Sequence, residues 1–245
     1  MNQIKLAGFS ILIGLGTLLS SCEQLGLLDP ELPLSEEEVV NGLRQALYHG
    51  TDTAITKLNK ENGFFGDELV KILLPAEAQP VYDILNLLPT SLVDNTILAI
   101  NRAAEDAATE AAPIFVNAIT DITISDGFDI LYGTDTAATI YLKGKTYQQL
   151  FDAFKPKIEN SLNKDLVLGL SAESLYSSLI NAYNKASLGG FLFNEIKTNS
   201  LSEHTTNRAL RGLFRKVGDE EKLIRENPAH RVTDILERVF SELDK

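Results

Sequence analysis

From Ser35 onward, apolar residues return at steps of three and four, the spacing that lays one apolar stripe along an α-helix. Ser35-Glu36-Glu37-Glu38 opens the first helix as a capping box, with the Ser35 hydroxyl and the Glu38 carboxylate each positioned to accept the other's backbone N–H. Val39, Val40, Leu43, Ala46, Leu47, Ala54 and Leu58 then form its stripe. NKENGFFGD (59–67) ends it, with Gly63 and Gly66 suited to a turn and Phe64-Phe65 suited to plugging a core. Short helices are expected near 67–73 and 78–88, between Pro75, Pro80 and Pro89. From about 90 to 122 runs a long striped segment in which Pro113 either kinks a helix or opens a second one. Further helices are expected at 125–132, 134–143, 146–163, 171–186, 201–226 and 229–243. Thr146 and Ser171 sit where caps belong, and Pro156 and Pro228 where helices bend or restart. Period-two alternation is sustained nowhere, ITDITI (119–124) being an ambiguous patch. SLGGFLFNEIKTN (187–199) is the least regular stretch, a mobile flap or a long connection. The pattern predicts an all-α, multi-helix, bundle-like domain over residues 35–245.

Residues 1–21 stand outside that domain. Lys5 precedes an apolar run from Leu6 to Leu19, the length of a signal-peptide core and too short for a comfortable bilayer span. The run ends in Leu19-Ser20-Ser21-Cys22, which resembles the lipobox of bacterial lipoproteins. Small residues suit the peptidase beside the scissile bond, and the Cys22 thiolate would take the diacylglycerol before cleavage makes it the new N-terminus. Cys22 is the only cysteine, so a lipidated chain would fold without disulfides. Residues 22–34 hold two prolines and a glycine without helical periodicity, and read as a tether. The expected attachment is therefore to a membrane, through lipid on Cys22, with the domain in water beside it.

Composition narrows the partners. Acidic residues outnumber basic ones 34 to 22, for a net charge of -12. On the sequence, nothing concentrates Lys and Arg into a basic face, and this argues against nucleic acid as a partner. Trp is absent, which leaves stacking platforms poorly supplied.

Chemical motifs are few. GTDTA occurs at 50–54 and again at 133–137. A phosphate or metal loop would carry more glycines, a Lys or further carboxylates, so the repeat reads as punctuation. In the second copy Gly133 suits a left-handed helix exit and Thr134 or Asp135 an N-cap. In the first, Gly50 suits close helix approach or a small irregularity, with Thr51 and Asp52 facing out or starting a new turn. His49, His204 and His230 lack the spacing of helical metal ligands, so no metal or cofactor is expected. Ser161 to Lys164 spells Ser-x-x-Lys without its usual companions. Gly144-Lys145-Thr146 resembles the end of a P-loop, yet Thr139 stands where the first glycine belongs, so it reads as a helix boundary with Thr146 and Gln149 as a capping box.

NGLRQALYHGTDTAITKL, NRAAEDAATEAAPIFVNAITDITISDGFDILYGTDTAATIYL, FKPKIENSL and NRALRGLFRKVGDEEKLIRENPAHRVTDILERVF, in that order, resemble the bacterial family called domain of unknown function 4197. The resemblance runs from roughly 35 to 243 and weakens across 187–199. It implies an all-α domain of the cell envelope and brings no reaction or catalytic residues with it. Within its motifs, Gly218 interrupts 201–226 where a better helix former would be expected.

Two classes of function follow. The first is a lipid-anchored binding or scaffold module that grips an envelope protein or an apolar ligand, facing the periplasm from the cell membrane or outer membrane. The alternative is a hydrolase or transferase with an unfamiliar site, and behind both stands a purely structural envelope protein. Convergence of Arg102, Glu105, Asp135 and Glu221 on one cavity would favour chemistry, and an apolar groove would favour binding. Asn101 and Arg102 interrupt an Ala-rich face, and a buried Arg102 needs a carboxylate, which the run Asp219-Glu220-Glu221 could supply.

Overall fold

The computed structural model describes residues 33–85, 91–167, 170–197 and 200–244. Among them the chain forms nine α-helices: α1 Glu36–Asn59, α2 Gln79–Leu85, α3 Leu92–Ala107, α4 Ala111–Thr120, α5 Ile124–Leu131, α6 Ala137–Leu162, α7 Ala172–Ala186, α8 Leu201–Glu226 and α9 Asp234–Phe240. A two-stranded antiparallel ribbon, β1 Asp165–Val167 and β2 Leu170–Ser171, is the one departure from helix and was not anticipated from the sequence. The fold is all-α and bundle-like. The signal segment, Cys22 and almost all of the tether lie outside the described residues.

Helix α1 is central, packing on α4, α5, α8 and α9, while α6 packs on α3, α4 and α8. The expected capping box holds: Ser35 Oγ accepts the Glu38 N–H at 3.2 Å and Glu38 accepts the Ser35 N–H at 2.8 Å. Leu43, Leu58, Phe64, Ile100, Phe115, Leu142, Leu150 and Phe154 are fully buried. Two crossings depend on glycine. A Cβ on Gly42 would lie 2.6 Å from Val239 of α9, and one on Gly212 would lie 2.7 Å from the Phe64 ring.

Several expected boundaries move, each for a physical reason. No α-helix forms at 67–73, where the Asn101 amide of α3 accepts the Ile72 N–H and donates to the Ile72 carbonyl, both at 2.8 Å. This side chain holds Ile72 as a neighbouring strand would. The break expected at 143–146 is absent: α6 runs through, and Thr146 is no cap because its hydroxyl donates to the Leu142 carbonyl at 2.7 Å. Burial of Ala138, Leu142, Leu150, Phe154 and Ile158 keeps the stripe in phase past exposed Gly144 and past Pro156. Helix α8 is likewise unbroken at Gly218. Pro113 opens a second helix, because it occupies the first turn of α4, where its missing N–H would have had no partner. Residues 187–197 form a connection whose far end is pinned by Asn184, which bonds both the N–H and the carbonyl of Ile196. No described helix is long and apolar enough to cross a membrane.

Candidate functional site

The four candidate site residues do not share one cavity. Arg102 and Glu105, one turn apart on α3, do meet, and they are joined by the turn after α1. Arg102 donates to Glu105 at 2.5 Å, to Glu61 at 3.0 Å and to Asn62 at 3.0 Å. Buried Glu105 also accepts the backbone N–H groups of Phe64 and Phe65, each at 3.1 Å. Every oxygen of Glu105 thus has a structural partner, and the pair locks the turn that inserts Phe64.

Arg102 does not reach the Asp219-Glu220-Glu221 run, because three successive residues of a helix point in three directions. Asp219 faces Lys216 at 3.8 Å, Glu220 pairs with Lys57 of α1, and Glu221 turns into the core. There Glu221 accepts the N–H groups of Ala138 and Thr139 at 2.9 and 2.8 Å, the Thr139 hydroxyl at 2.7 Å and Arg225 Nε at 3.1 Å. Arg225 donates onward to the carbonyls of Ile130 and Leu131 at 2.7 and 3.0 Å. A buried anion therefore caps the start of α6 and a buried cation caps the end of α5, the signs that each helix terminus favours. Asp135, exposed in the linker between those helices, belongs to neither group.

This pair also explains the second GTDTA. Thr136 takes the N-cap position of α6 without a side-chain cap bond, because Glu221 does that work from α8. Gly133 is not left-handed; a Cβ there would lie 2.7 Å from the Asp129 carbonyl and from Ala137. In the first copy Thr51 is buried and bonds the Leu47 carbonyl at 2.7 Å, so it does not face out. The cavity beside Glu221 and Arg225 is apolar and about 20 Å³, room for a water and not for a ligand.

A larger feature lies on the outer face of α8. An open groove of about 730 Å³ runs between α8, the first half of α6 and the turn at 69–71. Lys71, Lys143, Arg208, Arg211, Arg215 and Lys222 line it, against one carboxylate, Asp219. Arg208, Arg211, Arg215 and Lys222 fall within about 60° on the helical wheel and span about 21 Å of axis. Among the described residues Lys143, Arg208, Arg211 and Arg215 make no ion pair, whereas Lys71 meets Glu68 and Lys222 meets Glu226. Neighbouring Lys216 is occupied by Asp67 at 2.6 Å and holds that carboxyl below its ordinary range. The positive field comes from side chains, since the first N–H groups of α6 already bond Glu221. Gly212 and Gly218 line the groove and contribute no side chain, and Leu69 and Ile140, 64% and 63% exposed, form apolar edges.

The sequence reading missed this gathering. Its signal was present in RALRGLFRK (208–216), where arginines at steps of three and four share a face. What hid it was the surplus of acid elsewhere, together with Lys71 and Lys143, which only tertiary packing brings in. Among the described residues no group of three or more His, Asp or Glu is placed to hold a metal ion. Residues 33–241 match the family described as proteins of unknown function DUF4197, and the chain belongs to that family. No curated protein and no solved structure matches it.

Proposed function

We propose that this member of the DUF4197 family is a binding module of the cell envelope, lipid-anchored through Cys22, that takes an anionic ligand in the α6–α8 groove. The observation that carries this reading is the placement of six basic side chains around one groove, four of them without an ion pair among the described residues, on a chain of net charge -12. Six cations around a groove lined by one carboxylate repel one another, and an anion relieves that repulsion. Arginine adds a planar fork that matches phosphate and carboxylate.

Binding is favoured over catalysis because Glu105 and Glu221 are engaged by structural partners, backbone N–H groups together with Arg102 for the first and Thr139 and Arg225 for the second. A small or lipid-borne anion suits the groove better than nucleic acid. The cationic row is only about 21 Å long, and the acidic remainder of the chain repels an extended polyanion. Calorimetric titration of the full chain with glycerol phosphate tests the site. The expected result is salt-sensitive binding that disappears in Arg211→Glu/Arg215→Glu, and absence of binding at low salt would overturn the reading. Fractionation of cells expressing Cys22→Ser tests the anchor: the variant should leave the membrane pool, and its full retention there would refute lipidation.

A further inference from the structure

We infer that the anion taken by the groove is the headgroup of an anionic phospholipid at the surface of the anchoring membrane. The inference rests on the anion-site reading above and adds an occupant. Three observations point to a lipid. The cations Lys143, Arg208, Arg211 and Arg215, which make no ion pair among the described residues, lie beside two large apolar side chains, Leu69 and Ile140, both mostly exposed. A soluble phosphate has no use for those apolar edges, whereas a lipid presents a phosphate with hydrocarbon directly behind it. The groove is also open to solvent and not an enclosed cavity, which suits a headgroup at a surface better than a molecule swallowed whole.

The third observation is the length of chain before the fold. Residues 22–34 number thirteen, and at full extension they span at most about 45 Å. A domain tethered within that distance meets anionic headgroups at high effective concentration. Each basic residue close to an anionic leaflet strengthens attachment about fivefold. Reversing Arg211 and Arg215 should therefore weaken lipid binding at least about 25-fold. Docking through the groove would turn the face formed by α6 and α8 toward the bilayer, so that the anchor and the groove hold the domain at two points.

The test uses the full chain in a neutral detergent, with native mass spectrometry reading bound lipid. Probes are phosphatidylglycerol, phosphatidylcholine, glycerol phosphate and a short oligonucleotide. Phosphatidylglycerol is expected to bind at least about fivefold more tightly than phosphatidylcholine, the worth of one basic contact, and at least about fourfold more tightly than glycerol phosphate, the worth of one acyl CH2 buried on the apolar edges. Arg211→Glu/Arg215→Glu should lose both phosphatidylglycerol and glycerol phosphate. Leu69→Ser/Ile140→Ser should keep glycerol phosphate and lose the preference for the lipid. All four positions are exposed, and an unchanged thermal unfolding curve confirms that each variant is folded. If glycerol phosphate binds as tightly as phosphatidylglycerol, the lipid is wrong and the anion site stands. If neither binds, both fail. Tighter binding of the oligonucleotide than of phosphatidylglycerol would overturn the lipid assignment.

Discussion

Replacing Glu221 by Ala should be the most costly single change in the polar interior. Its carboxylate receives four donors, the N–H groups of Ala138 and Thr139, the Thr139 hydroxyl and Arg225 Nε, at 2.7 to 3.1 Å. Truncation leaves the Arg225 guanidinium buried without its anion and the first turn of α6 without its cap. Removing one partner of a buried pair costs about 3–5 kcal/mol. Water entering the adjoining cavity of about 20 Å³ would recover one or two of those bonds, which sets the lower end. For a domain of this size each kcal/mol moves the melting temperature by about 2–4 °C, so the expected loss is about 6–20 °C. Thermal unfolding followed by far-ultraviolet circular dichroism measures it. Glu221→Ala/Arg225→Met should be less destabilised than the sum of the two single variants, by at least about 1 kcal/mol, because it removes the stranded charge. A loss below about 2 °C for Glu221→Ala, or strict additivity, would refute the capping role.

Three further outcomes are expected. Arg102→Met should lower stability by about 1–3 kcal/mol in urea unfolding, because buried Glu105 loses its cation, while glycerol phosphate binding stays unchanged. Burial holds the pKa of His204 below its ordinary 6.5, so the unfolded chain takes up its proton at the higher pH. Stability from this group is therefore intact above pH 6.5 and falls as the pH drops through 6.5 toward the lower folded value, and His204→Gln should flatten the change in melting temperature across that window. Expressed from residue 35, the domain should be a soluble helical monomer or small oligomer whose circular dichroism is the same before and after a chelator, and unfolding on chelation would contradict that.

Local pattern determined the fold class, most helices and the caps at Ser35 and Ser171, because apolar periodicity and capping side chains act within a few residues of themselves. It also carried the family resemblance across the whole domain. The missed boundaries share one cause. At 67–73, at 143–146 and at the start of α6 the deciding partner lies far away in sequence: the Asn101 amide, the α6 stripe buried against other helices, and the Glu221 carboxylate. Arg102, Glu105, Asp135 and Glu221 were reasonable candidates as residue types, but which carboxylate met which cation depended on helix rotation and crossing, which no local spacing encodes. The groove lies between these cases. One wall was legible in the spacing of Arg208, Arg211 and Arg215 on α8. Lys71, Lys143 and the two apolar edges join that wall only because α8 packs on α6 and Gly212 lets it lie close against Phe64. Charge along a helix is a property of the sequence, whereas the concentration of charge in a cleft is a property of packing.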